Sequence, residues 1–302
     1  MAPMTPVTRR RLALAVLWLV PALWSSNYVI ARASVDAISP HLLALGRWSL
    51  AFVIMLPLTW RALVLGWPQW RGEWPRMLLL GALGMWICGA FVYIGARSTS
   101  VANMGLIYAA TPVVVALLGA RLLREPVGAA QRWGMALALS GVLFVITKGR
   151  PAELLAVRFV AGDLWLLAAA AAWVGYSLLL QRWTSALDNV ARLAAIVAGG
   201  IVVLLPFTLI ELLASSAPAL AQPGKGLLLV VLAAVLPGVI SYQAYSFLLH
   251  ELGAARAVLV LYLAPIYGAL SAWLVLGEPP RWYHAVGAAI ILPSIWLATR
   301  KR

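Results

Sequence analysis

Long apolar runs alternate with short charged or Pro/Gly-rich breaks along the whole chain. An apolar run of about 20 residues is the length an α-helix needs to cross the hydrocarbon core of a bilayer. The pattern therefore predicts an all-α protein whose ten transmembrane helices are joined by short loops. The predicted helices lie at 10–32, 40–62, 75–97, 101–121, 128–147, 161–182, 190–213, 226–249, 254–276 and 281–299.

Composition supports a membrane protein and argues against a soluble one. Hydrophobic residues make up 64% of the 302 positions and charged residues only 11%, whereas soluble domains have about 45–50% and 25%. So few charges cannot cover a soluble surface. The only cysteine, Cys88, lies within an apolar run, so no internal disulfide can form.

The net charge of +14 is better explained by membrane topology than by nucleic-acid binding. Lys and Arg accumulate in cytoplasmic loops of membrane proteins. With the N-terminus in the cytoplasm, fifteen of the 23 Lys and Arg residues fall on that side of the predicted helices. We therefore expect both termini in the cytoplasm and no nucleic-acid partner.

The chain repeats itself with an offset of 153 residues. This offset superposes Glu125-Pro126 on Glu278-Pro279 without a gap, and it also matches Pro112 with Pro265 and Gly134 with Gly287. The match predicts two halves of five helices, 1–149 and 150–302. Because five is odd, the second half must cross the membrane in the opposite sense. Inverted repeats are typical of transporters, which hold their substrate near the midplane between the halves.

Several motifs of both halves resemble the drug/metabolite transporter superfamily in its ten-helix EamA-type branch. In the first half they read ALWSSNYVIARASVDAISPHLLALGRWSLA and ANMGLIYAATPVVVALLGARLLREPVGAAQRWGMALALSGVLFVI, and in the second GDLWLLAAAAAWVGYSLLLQRW and AARAVLVLYLAPIYGALSAWLVLGEPPRWYHAVG. The resemblance covers nearly the whole chain. It implies ten helices with cytoplasmic ends, a bacterial inner-membrane location and export of small metabolites, commonly amino acids. The aromatic content is closest to that of members exporting aromatic amino acids.

Polar and aromatic residues recur at helical spacing in the middle of four helices that form two repeat pairs, helices 1 and 6 and helices 3 and 8. Such faces predict a central cavity for a substrate with an apolar or aromatic body and a few polar groups. Hydrogen bonding between helices is the alternative explanation for each residue. With Tyr108 of helix 4, the candidate substrate-binding residues are Trp24, Asn27, Tyr28, Trp86, Tyr93, Tyr108, Trp173, Tyr176, Ser177, Tyr242, Gln243, Tyr245 and Ser246.

Pro112 and Pro265 occupy matching positions within helices 4 and 9. A proline removes an N–H and leaves the carbonyl four residues earlier without its usual partner, which here means Tyr108 and Leu261. The pair predicts either two hinges or two free carbonyls facing the cavity; static kinks remain the alternative. In helices 5 and 10, small residues seven positions apart predict close packing of the two helices.

The acids and histidines fall at or near predicted helix ends, and the first helix has none. Because a proton-coupled antiporter needs a titratable group within the membrane, we expect a facilitator or exchanger, with proton coupling as the alternative. Arg47 is the one basic residue well inside a run. The resemblance marks it as characteristic, and substrate contact, a structural hydrogen bond and snorkelling all remain open. No lysine lies deep in the bundle, which argues against phosphate-bearing cargo.

Two other classes are less consistent with the residues. An intramembrane protease needs a central Ser–His pair or His/Glu metal ligands, and no histidine is central. A receptor or assembly subunit without transport would leave the repeat unexplained. We therefore expect a transporter rather than an enzyme, with no cofactor or metal, acting as a monomer on a small molecule in the lipid bilayer.

Overall fold

The protein is described by a computed structural model covering residues 6–99, 101–124, 126–155, 157–215, 217–276 and 279–299. These residues form ten helices long and apolar enough to cross a membrane, and no β-strand. The predicted ten-helix architecture is confirmed. The helices are α1 (Pro6–Ser34), α2 (Pro40–Leu65), α3 (Trp67–Gly95), α4 (Val101–Ala109 and Thr111–Leu122), α5 (Ala129–Ile146), α6 (Ala161–Arg182), α7 (Asn189–Ala214), α8 (Pro223–Leu252), α9 (Ala254–Ala257, Val258–Leu263 and Ala264–Leu276) and α10 (Trp282–Thr299).

Polar contacts define the two ends of the bundle. Near the start of α1, Arg9 forms an ion pair of 2.7 Å with Glu251 near the end of α8. At the other end, Ser39 donates a hydrogen bond of 2.6 Å to Glu211 near the end of α7, and the His41 backbone N–H donates one of 3.0 Å. We call the end with Arg9 the N-terminal side and the end with Glu211 the opposite side.

Local irregularities recur with the same offset as the sequence motifs. Wide π-helical turns cover Ala82–Ile87 in α3 and Val235–Ile240 in α8. Helix α5 spans Ala129–Ile146 and α10 spans Trp282–Thr299. Corresponding boundaries in both pairs are 153 positions apart, and so are the starts of the segments of α4 and α9 at residues 101 and 254 and at 111 and 264.

Helices α5 and α10 pack against each other through their small residues, as predicted. A Cβ atom added to Gly134 would lie 2.6 Å from the Ser294 carbonyl oxygen, and one on Gly141 would lie 2.7 Å from Ile291 Cγ1. On α10, a Cβ atom on Gly287 would overlap the Val145 side chain. Glycine therefore permits a backbone approach that any side chain would prevent.

The repeated Glu-Pro motif lies in the connections α4–α5 and α9–α10. Pro126 and Pro279 are exposed and belong to no helix. Glu125 and Glu278 lie outside the described residues. The two prolines thus lie in equivalent connections, outside the membrane-spanning helices.

Candidate substrate-binding cavity

A cavity of about 80 Å³ lies among seven helices, within their membrane-spanning parts. This volume is large enough for several water molecules, since one water needs roughly 10–15 Å³. Its lining is mostly apolar and aromatic, with a few polar groups, as is usual for small-molecule sites. The lining residues are Trp24, Asn27, Tyr28, Arg47, Cys88, Val92, Tyr108, Trp173, Pro237, Tyr242 and Leu261.

Five aromatic rings, which we call the aromatic cluster, line the cavity and extend from it toward the N-terminal side. Trp173 is central, with ring centroids 5.1 Å from Trp24, 5.4 Å from Tyr176, 5.7 Å from Tyr242 and 4.9 Å from Tyr245. Tyr176 and Tyr245 each lie three residues, or about 4.5 Å along the axis, nearer the N-terminal side than the lining residues of their helices. The edge-on pairs with Trp24 and Tyr242 and the stacked pair with Tyr176 have geometries that aromatic pairs prefer.

Hydrogen bonds hold the two α8 rings of the aromatic cluster, Tyr242 and Tyr245, in place. Ser177 Oγ and the Tyr245 hydroxyl are 2.9 Å apart and buried. The Tyr242 hydroxyl donates to the Gly84 carbonyl at 2.9 Å. That carbonyl belongs to the π-helical turn of α3, where the widened backbone leaves carbonyls available to side chains. The same turn accepts from Trp48 Nε1 through the Met85 carbonyl at 3.1 Å.

A polar network centred on Arg47 forms another part of the lining. The guanidinium Nη1 donates to Asn27 Oδ1 at 3.2 Å and to the Tyr93 hydroxyl at 2.8 Å, and Nη2 donates to the Pro237 carbonyl at 3.2 Å. Tyr93 in turn donates to Asn27 Oδ1 at 2.9 Å. Arg47 is only 3% exposed, so its charge does not snorkel to the membrane surface.

The predicted site residues divide into three groups. One group lines the cavity: Trp24, Asn27, Tyr28, Tyr108, Trp173 and Tyr242. A second group lies behind the lining: Tyr93, Tyr176 and Tyr245 contact lining residues, and Ser177 contacts Tyr245. The third lies outside the lining: Trp86, Gln243 and Ser246.

Helix orientation explains the third group. The Trp86 ring stacks on Phe207 of α7 with centroids 3.8 Å apart, because α3 turns Cys88 and Val92 toward the cavity instead. On α8, Gln243 Nε2 is 3.5 Å from the Asn189 carbonyl at the start of α7, and Ser246 is half-buried. These positions do not favour direct substrate contact for the three residues.

The paired prolines interrupt their helices in equivalent places. In α4 the break falls between Ala109 and Thr111, directly before Pro112. In α9 a 3₁₀ segment, Val258–Leu263, precedes the final helix that contains Pro265. The Leu261 carbonyl is not free, because it accepts the Ala264 N–H in the tighter 3₁₀ turn. The prediction of a free carbonyl at Leu261 was therefore wrong.

The lining also includes residues that the sequence did not single out as site residues. For Arg47, three interpretations remained open from the sequence. Cys88, Val92 and Pro237 have side chains that are common in any apolar helix. Arg47 brings α2 into the cavity wall beside the six predicted helices. An isolated arginine in an apolar run was the available signal, whereas the π-helical turn around Pro237 was marked only by a mid-helix Pro-Gly pair.

Comparison with known proteins gives matches along nearly the full chain. The sequence pattern of the EamA-like transporter family matches residues 11–147 and again residues 160–300. A probable terminal-alkyne amino-acid exporter of Streptantibioticus cattleyicolor is 28% identical, covering 96% of this chain and 94% of the relative. A probable amino-acid metabolite efflux pump of Salmonella typhimurium is 25% identical, covering 92% of each chain.

A solved crystal structure shares the fold. It superposes with a TM-score of 0.72 at 20% sequence identity, covering 95% of this chain and 97% of the other. At this identity the likeness concerns the arrangement of the helices.

Proposed function

Because the chain belongs to the EamA-like transporter family, we propose that it exports small metabolites across the bacterial inner membrane, most of all neutral amino acids with an aromatic or other apolar side chain. Ten membrane-spanning helices make it a multi-pass membrane transporter. The names of two relatives, an amino-acid exporter and an amino-acid metabolite efflux pump, support the substrate class.

The proposed mechanism is alternating access between two inverted halves, residues 1–149 and 150–302, with both termini in the cytoplasm. The constant offset of 153 positions between their irregular turns and helix boundaries supports this division. Each half holds five helices, so two similar halves of opposite orientation can exchange conformations and open the site to each side in turn.

The observation that carries the proposal is the cavity itself, which helices of both halves build together. The faces of Trp24 and Trp173 offer flat surfaces to an apolar or aromatic body. The Asn27 amide and the hydroxyls of Tyr28 and Tyr108 offer hydrogen bonds to a polar head group. Since one chain supplies all these groups, we propose the monomer as the transport unit.

Transport as a facilitator or exchanger agrees with the positions of the acids. Within the described part of the chain, no Asp, Glu or His lines the cavity. Asp163 accepts hydrogen bonds from Thr99, Asn103 and the Val160 N–H at the start of α6, and Glu211 accepts them from Ser39 and His41. These acids stabilise helix ends. A proton-coupled antiporter, the second candidate, would need such a group in the cavity.

Counterflow into liposomes tests the proposal. Purified protein would be reconstituted with unlabelled amino acid inside, and uptake of labelled tryptophan, phenylalanine, leucine and alanine measured against protein-free vesicles. Accumulation above the empty vesicles is expected. If no amino acid accumulates while the protein is folded and inserted, the assignment to amino-acid transport is rejected.

A further inference from the structure

Arg47 places a positive charge at the cavity without a carboxylate to balance it. Its three hydrogen-bond acceptors, Asn27 Oδ1, the Tyr93 hydroxyl and the Pro237 carbonyl, are all neutral. Among the described residues no acid lies within ion-pair distance of Arg47. Its Nε has no hydrogen-bond partner in that part of the chain. The Trp48 ring, 4.4 Å from the guanidinium carbon, offsets part of this charge, but a buried charge without a counter-ion remains strongly unfavourable.

The acids at the helix ends have partners of their own. Glu211 contacts Ser39 and His41 at the opposite side, and Glu251 pairs with Arg9 at the N-terminal side. Asp163 is held at the start of α6 by Thr99 and Asn103. The charge of Arg47 therefore acts on the cavity and on whatever occupies it, in surroundings where screening by water is weak.

We infer that Arg47 binds the carboxylate of the transported molecule. The inference rests on the proposed function and narrows its substrate class to carboxylates with an apolar or aromatic body, including amino acids with a free α-carboxylate. Arginine suits this role because guanidinium and carboxylate form strong charge-assisted hydrogen bonds. An organic amine without a carboxylate would instead place a second positive charge beside Arg47, so such amines are poor ligands.

The acceptors of Arg47 connect ligand binding to several helices. Asn27 lies on α1, Tyr93 on α3 and Pro237 on α8, while Arg47 itself belongs to α2. A carboxylate competes with these neutral oxygens for the guanidinium donors. Binding of the substrate thereby changes contacts within and between the two halves, which alternating access requires.

Two ligands of nearly equal shape and opposite charge provide the test. Both 3-phenylpropionate and phenethylamine carry a phenyl ring on a two-carbon chain, ending in a carboxylate or an ammonium group. Isothermal titration calorimetry on the purified full-length protein would measure each dissociation constant. We expect the carboxylate to bind about ten-fold tighter or more. Equal binding, a preference for the amine, or no binding of either ligand overturns the inference.

Three variants test whether Arg47 causes the preference for the carboxylate ligand. Arg47→Gln should abolish the preference for the carboxylate, and Arg47→Lys should keep it in weaker form because the charge remains. Arg192→Gln is the matched control. Arg192 is also partly buried, donates to the Leu180 and Trp183 carbonyls and has an Nε without a partner in the described chain, but it does not line the cavity.

The outcomes separate this inference from the proposed function. If Arg47→Gln folds and still prefers the carboxylate, the role of Arg47 is rejected. If Arg47→Gln does not fold, the ligand preferences of the wild-type protein and of Arg47→Lys still test the inference. If carboxylates bind through Arg47 but counterflow detects no transport, the binding role stands and the transport function fails. If amides and esters of amino acids move as fast as the amino acids, transport stands and the carboxylate role falls.

Discussion

Trp173 joins the cavity lining to the aromatic cluster. Its ring contacts Trp24 of α1 and both Tyr242 and Tyr245 of α8, and ring pairs of this kind contribute about 0.5–1.5 kcal/mol each. Trp282 has similar size and hydrophobicity but is 62% exposed at the start of α10. Comparing substitutions of Trp173 and Trp282 therefore distinguishes a tryptophan of the cavity from an exposed one at a helix end.

We expect Trp173→Ala to reduce transport about ten-fold, a loss of roughly 1.4 kcal/mol, and Trp282→Ala to leave it nearly unchanged. Initial rates of counterflow would be compared at equal amounts of folded protein, because loss of a buried tryptophan also costs about 3–5 kcal/mol of stability. Equal effects of the two substitutions would remove the support for a central substrate site.

At the scale of helices, the packing of α5 against α10 depends on glycine. In Gly134→Ala the new Cβ would meet the Ser294 carbonyl oxygen at 2.6 Å and the Ala298 backbone nitrogen at 2.8 Å. Backbone atoms cannot move aside easily, so the helices must separate, at a cost of about 1–3 kcal/mol. We expect a lower melting temperature in detergent, measured by circular dichroism.

Gly268→Ala in α9 is the control for Gly134→Ala. A Cβ atom added to Gly268 meets nothing within 4 Å, and alanine is favoured over glycine in a helix by about 1 kcal/mol. The melting temperature of Gly268→Ala should stay unchanged or rise. A similar decrease in both variants would show that close packing at Gly134 is not the cause.

The interruptions of α4 and α9 underlie the proposal that Pro112 and Pro265 act as hinges. Pro265→Ala restores an N–H and favours a continuous helix, since an internal proline costs about 3 kcal/mol. We expect slower counterflow, by about ten-fold, with the dissociation constant of the substrate nearly unchanged. Pro206→Ala is the control, because α7 runs uninterrupted through Pro206. Unchanged transport in Pro265→Ala would contradict the hinge role.

At the scale of the whole molecule, the inverted repeat makes a topological prediction. A reporter active only in the cytoplasm should be active after residue 302 and in the loop around Pro126, and inactive in the loop between α5 and α6. A periplasmic reporter should give the reverse pattern. Opposite locations for the N- and C-termini would be incompatible with ten spans and two inverted halves.

The second prediction at this scale concerns whether transport is coupled to protons. Because no acid or histidine of the described chain lines the cavity, we expect the initial rate of counterflow to be the same with and without a pH gradient. An ionophore that collapses the gradient provides the comparison. A rate that falls in proportion to the gradient would support the proton-coupled alternative.

The sequence alone determined the number of helices, their approximate bounds and the α5–α10 contact. Apolar length and small-residue spacing are local properties, and the membrane allows few alternatives to helices for apolar runs of this length. Six lining residues, from Trp24 to Tyr242, were also predictable, because polar groups in the middle of apolar helices must turn away from lipid.

Only the tertiary structure decided which face of each helix meets the cavity. Trp86 and Tyr93 share a helical face by spacing, yet Trp86 stacks on Phe207 while Tyr93 hydrogen-bonds Arg47. The π-helical turns of α3 and α8 and the 3₁₀ segment of α9 rotate the later residues of each helix about its axis. Snorkelling of Arg47 was excluded in the same way, because its burial and its neutral hydrogen-bond partners on three other helices depend on how the helices pack.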